Sequence, residues 1–152
     1  MVNTYTVLKT IHVIAAVTWV GGGTILTTLL ARARRASDYG KLATLIEELE
    51  FVGPRIFATS GGILVITGIW IVQYQGIPWD VWVILGLVGW GATFVTGNFF
   101  LSPQGKKLDG LLAEKGPTDP AAVALMTRLL NVARVDVIVL TLVVIDMVIK
   151  PT

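Results

Sequence analysis

Apolar residues run over helical lengths at several points in the 152-residue chain, and short polar stretches mark where each run stops. The first run, residues 5–30, is long enough to cross a bilayer with some tilt, since a span needs ~20 apolar residues. Within it His12, Ala16, Trp19 and Gly23 recur at steps of four, three and four, so they share one helix face. Residues 38–52 change the pattern: Leu42, Leu45, Ile46 and Leu49 fall on one side, Lys41, Glu47 and Glu48 on the other. That is an amphipathic helix, either lying at the membrane surface or packed as a cytoplasmic connector on the ends of a bundle. Gly53-Pro54 is expected to end it, with Pro54 in the first turn of the next helix.

The second span, residues 56–74, contains Gly61, Gly62 and Gly68, small residues that let helices approach closely. A tight turn at Gln75-Gly76-Ile77-Pro78 follows, and Trp70, Tyr74, Trp79 and Trp82 around it form an interfacial aromatic belt. Along the third span, residues 81–101, Gly86, Gly89, Thr93 and Gly97 make a thin stripe facing another helix. Ser102-Pro103 is expected to end this helix. After a polar segment and a loop at Gly116-Pro117, Asp119-Pro120 restarts the chain as an N-cap followed by proline in the first turn. The last helix reaches Ile149, roughly 45 Å from Pro120 at 1.5 Å per residue, with its span over residues 132–149. The pattern predicts an all-α fold, a four-helix transmembrane bundle forming one domain over residues 1–152, without a repeat strong enough to argue for duplicated halves.

Composition agrees. Only 14% of residues are charged, well below the roughly 25% of a soluble domain, so the partner is the lipid bilayer. The net charge of +2 does not indicate nucleic acid, because the basic residues cluster between apolar runs and report topology instead. Ten of the 12 lie around the two connections after the first and third spans: Arg32, Arg34, Arg35, Lys41, Arg55, Lys106, Lys107, Lys115, Arg128 and Arg134. By the positive-inside rule both connections are cytoplasmic, and both termini and the Gln75–Asp80 turn are outside. Met1 to Leu8 carries no basic residue, so a signal peptide is not expected and the first helix should stay attached. With no cysteine in the chain, disulfides, thiolate metal sites and c-type haem attachment are excluded.

Counting residues from the middle of each span puts His12 roughly 10 Å and Asp146 roughly 8 Å to the outer side, in one layer. Lys9 and Lys150 lie further out and can snorkel. A second, inner polar cluster comprises Arg55, Asn98, Arg134 and Asp136. Charges inside a bilayer cost roughly 2.5 to 3.5 kcal/mol on the insertion scale and so tend to pair; the expected pair is Asp136 with Arg55 or Arg134. It would fix helix register, or the arginines would hold an anionic headgroup. His12 has two readings. It is a ligand for a metal, as imidazole is for haem iron, copper or zinc, or it is hydrogen-bonded to Asp146 or a backbone carbonyl. No second histidine, cysteine or glutamate shares its depth, so a haem would need Met147, a lysine or another subunit as its other ligand. Trp19 is either packing or a wall for a cofactor. No nucleophile elbow, phosphate-binding glycine loop or HExxH motif is present.

Leu8-Lys9, Ile11-His12, Trp19 and Gly21-Gly22, with Arg134, Asp136 and the closing Met147-Val148-Ile149-Lys150-Pro151, resemble a family of small bacterial predicted integral membrane proteins of unknown function, over essentially the whole chain. The resemblance implies a multi-pass protein of the bacterial inner (plasma) membrane. More distantly, His12, Trp19 and Gly22 are similar to the first helix of copper-resistance D proteins and of membrane-type protoporphyrinogen oxidase. That likeness implies a four-helix core with haem b or a copper ion near the outer histidine, and only His12 carries over as its ligand.

Two functions follow. One is a haem- or metal-binding redox protein with His12 as axial ligand and Asp146 or Lys150 as second-shell or propionate partner. The other is a non-enzymatic membrane component, an accessory subunit or small transporter, in which His12 and Asp146 form a structural or proton-sensitive pair. The glycine faces also suit a homodimer, which would bring two copies of His12 together.

Overall fold

Short polar side chains set where the helices begin. Asn3 Oδ1 accepts from the Thr6 amide at 2.9 Å, Asp38 Oδ1 from the Lys41 amide at 3.0 Å, and Asp119 Oδ1 from the Ala121 amide at 2.9 Å. Each thereby satisfies an amide that the first turn leaves free. The computed structural model describes residues 3–151, and of Glu50 only the backbone; Met1, Val2 and Thr152, which the expected domain includes, lie outside the described residues. Among these residues the chain forms five helices: α1 (Thr4–Arg35), α2 (Tyr39–Val52), α3 (Gly53–Gln75), α4 (Val81–Lys115) and α5 (Pro120–Ile149).

Two prolines do not break the chain as the sequence suggests. Gly53–Phe57 is a single π-helical turn that carries α2 straight into α3, and Thr96–Leu101 is a π-helical segment beyond which α4 continues past Ser102-Pro103 to Lys115. The reason is local. Proline lacks an amide and crowds the carbonyl four residues back, and the wider π register absorbs the mismatch without ending the helix. Gly76, at φ 60°, ends α3 in the left-handed conformation that glycine adopts without strain.

The long helices pair antiparallel on glycines. In the first pair Gly22 of α1 meets Phe57, Trp19 meets Gly61, and His12 meets Gly68 of α3. In the second, Gly86 and Gly89 of α4 lie against Met147 and Val143 of α5, so close that a Cβ on either glycine would overlap those side chains. The stripe read from the sequence thus does face another helix, at least over these two positions. Small residues serve here because lipid tails are as apolar as leucine, so close backbone contact replaces hydrophobic drive.

The two ends differ. At the basic end Ala33, Leu42, Ile46, Leu108, Ala122 and Met126 bury themselves together, which fixes α2 as a connector packed on the bundle rather than a free surface helix. Arg34 ties this end by donating to Thr127 Oγ1. At the opposite end Trp70, Tyr74 and Trp79 project outward, as a belt requires, but Trp82 packs inward with Val72 and Val83. Between the ends the outer faces carry exposed Ile14, Val17, Val88 and Leu142. Hydroxyls on these faces close onto their own helix, as Thr18 Oγ1 does on the Ile14 carbonyl at 2.9 Å and Thr141 Oγ1 on the Val137 carbonyl at 2.8 Å.

Three helices, α1, α3 and α4, are long and apolar enough to cross a membrane. Helix α5 is 30 residues long but carries Arg134, Asp136 and Asp146 in its apolar stretch.

Candidate functional site

His12 is half-buried, with its Nδ1 3.0 Å from Thr67 Oγ1. The Thr67 hydroxyl proton is committed to its own helix, at 2.7 Å from the Ile63 carbonyl. Its oxygen must therefore accept from His12, which places the imidazole proton on Nδ1 and leaves Nε2 with a free lone pair. Gly68 makes room for the ring: a Cβ there would come 3.0 Å from His12 Cε1.

Of the two partners expected for His12, Asp146 makes no hydrogen bond to it, whereas a backbone carbonyl, that of Leu64, does stand at the ring. Asp146 lies instead toward α4, with Oδ2 buried and without a partner, 4.0 Å from where a Gly86 Cβ would stand. The antiparallel pairing explains this: His12 faces α3, while the Asp146 layer of α5 faces α4. Lys150, at the end of α5, sits over the Trp82 ring at 5.2 Å.

Trp19 is buried in an aromatic cluster that joins the two helix pairs. It meets Phe94 edge-on at 6.3 Å, and Phe94 stacks on Trp90 at 5.1 Å. The Trp90 indole donates to the Gly61 carbonyl at 2.9 Å. Neither Trp90 nor Thr67 stands out in the sequence; the available signal was a hydroxyl next to a glycine at Thr67-Gly68, which can both bond and seat a ring.

Below Trp19 and Phe94 the bundle opens into a cavity of about 210 Å³ lined by all five helices. Its walls include both π segments, through Pro54 and Phe57 on one side and Gly97 and Asn98 on the other, and its floor is the core of the basic end, through Ile46, Leu108 and Met126. The π register thus displaces backbone just where the helices part, and such turns recur at functional sites. Asp136 is the sole ionisable side chain on this wall among the described residues.

The inner cluster does not assemble as expected. Arg134 is exposed and donates to Asn131 Oδ1 at 3.2 Å, and Arg55 lies over the Phe51 ring at 4.2 Å, so neither pairs with Asp136. Arg134 stands two positions from Asp136, and side chains so spaced leave a helix on different sides. Arg55, at the start of α3, turns outward. Asn98 does reach the cavity with Asp136. Its Nδ2 donates to the Phe94 carbonyl at 2.9 Å, which leaves Oδ1 as an acceptor. No group of three or more metal-ligating side chains occurs among the described residues.

An all-helical chain with three apolar helices of spanning length, lipid-like outer faces and an aromatic end is an integral membrane protein by class. The chain belongs to the family described as predicted integral membrane protein (DUF2269), which matches residues 6–151. No curated protein and no solved structure matches it. The comparisons thus support the family of predicted integral membrane proteins and give no support to the wider likeness to copper-resistance D proteins and membrane protoporphyrinogen oxidase drawn from His12, Trp19 and Gly22.

Proposed function

We propose that this chain is a four-span, non-enzymatic component of the bacterial inner membrane that binds a small, largely apolar molecule in the cavity beneath Trp19, in the manner of a small transporter or accessory subunit. The cavity carries the reading. Space of about 210 Å³ left between the helices forfeits packing contacts, at a cost to the bundle's stability. A ligand that fills it removes that cost. Because Trp19 lines the cavity, a neutral aromatic probe such as neopentylbenzene should change tryptophan emission saturably. Gly97→Leu, which places a side chain where nothing lies within 4 Å of a Cβ, should abolish the change; equal binding by that variant rejects the site.

Four spans with both termini outside are favoured because α5 runs beside α4 from the Leu108 layer to the Gly86 layer, and because the basic residues gather at one end. A cysteine at Gly76 should label from outside only; labelling from the cytoplasm alone inverts the topology.

His12 favours a second reading. With Nδ1 oriented by Thr67, Nε2 is prepared to ligate haem b or a copper ion, since a ligating histidine is normally held through its other nitrogen. His12 supplies one ligand, so a homodimer would contribute the second; Asp146, turned toward α4, and Lys150, over Trp82, are not placed to assist it. A Soret band lost in His12→Ala supports this; a colourless protein after haem is supplied rejects it.

A further inference from the structure

We infer that Asp136 makes the inner cavity a site for a small lipophilic monocation, an amine or quaternary ammonium with an aromatic or short branched body. This rests on the binding reading above and specifies its ligand. The polar groups that face the cavity are the Asp136 carboxyl, which has no hydrogen-bond partner among the described residues, Asn98 Oδ1 and the neutral hydroxyls of Thr27 and Ser102. Thr93 is closed onto the Gly89 and Trp90 carbonyls. Among the described residues the wall carries a carboxyl and no cation, so the ligand that suits it brings the positive charge.

Among the described residues none of the chain's lysines or arginines lines the cavity. Arg134 is on Asn131, Arg55 over Phe51, Arg128 over the Phe100 ring at 5.2 Å, and Arg34 on Thr127. A carboxylate facing an apolar space attracts a cation far more strongly than one in water, because the field is not screened. Trp19 and Phe94 line the same cavity, and their rings suit a ligand with an aromatic body.

Size and access narrow the class. About 210 Å³ falls below the ~300 Å³ where drug-sized sites begin, so the ligand is smaller than a drug. Asp136 and Thr93 also line a second, more open cleft between α4 and α5, with Thr96, Asn131 and Val135. Asp136 thus stands at the boundary of the cavity and a lateral opening, through which an amphiphile dissolved in the bilayer reaches the carboxylate without crossing water.

The test is calorimetric titration of the full chain, purified in an uncharged detergent, with benzyltrimethylammonium and, in parallel, with its uncharged isostere neopentylbenzene. The cation should bind saturably, one per chain. Asp136→Asn should weaken it about tenfold or more with unchanged melting temperature, and Asp136→Glu should retain it. Among the described residues no other titratable group lines either cavity, so affinity should fall as acid protonates Asp136, and binding near that range should release a proton. Equal cation affinity in wild type and Asp136→Asn overturns the inference. So does tight binding of neopentylbenzene without the cation, which leaves the cavity reading standing; if neither probe binds, both readings fail.

Discussion

The half of the bundle toward the Gln75–Asp80 turn and the half toward the basic end solve the same packing problem differently. In the first, Gly68 seats His12, Thr67 binds its Nδ1 at 3.0 Å, and Gly86 and Gly89 draw α4 onto α5. In the second, α3 opens on a π turn and α4 passes through a π segment, the helices part, and Asp136 faces a cavity of about 210 Å³. His12 and Asp136 are alike in sequence, each an ionisable side chain in an apolar run. The ring sits between a hydroxyl and a glycine that make room for it, whereas the carboxyl faces open space.

The sharpest way to break this contrast lies along one stripe of α4. Gly89→Leu must overlap Val143, and overpacking of that kind costs on the order of 3 kcal/mol or more. Gly97→Leu, with nothing within 4 Å of its Cβ, should leave the melting temperature unchanged or higher, because it fills space and replaces a poor helix former. Thermal unfolding in detergent reads both. Equal loss in the two variants would mean that the basic half is as closed as the other.

The two polar residues give the next largest effects, with opposite signs. Thr67→Val keeps the shape but removes the hydroxyl beside His12 Nδ1, and should cost roughly 1 kcal/mol. Asp136→Leu removes an unpaired carboxyl and fills part of the cavity, so it should stabilise by about 1 kcal/mol. A destabilised Asp136→Leu would show that the carboxyl holds the fold together, and the contrast with His12 would fail.

Much of this was legible from residue order alone. Asp119-Pro120 and Gln75-Gly76 fix helix boundaries by local chemistry, and the Gly86 and Gly89 stripe identifies a helix contact because only a close neighbour calls for missing side chains there. What was not legible depends on rotation about each helix axis. Depth counting placed His12 and Asp146 in one layer, yet a layer contains every helix, and facing is set by which glycines mesh. The same limit applies to Asp136 and its arginines: shared depth suggested a pair, but Arg134 leaves the helix on another side. The cavity was least visible, since it arises where Pro54 and Pro103 shift the helices into π register instead of ending them.

The smallest expected effect concerns the seam between the two halves. Trp90 donates from α4 to the Gly61 carbonyl of α3 at 2.9 Å, and stacks on Phe94 at 5.1 Å. Trp90→Phe keeps an aromatic ring against Phe94 and removes only the donor. Gly61 lies inside a helix, so its carbonyl retains its intrahelical partner and no buried group is orphaned. The loss should therefore approach the ~0.6 kcal/mol average of hydrogen bonds between membrane helices, smaller than that of Thr67→Val, which removes the hydroxyl that holds the His12 ring. Unfolding measured side by side decides it: should Trp90→Phe cost more than Thr67→Val, the bond at the seam, rather than the clamp on His12, would be the contact that holds the helix pairs in register.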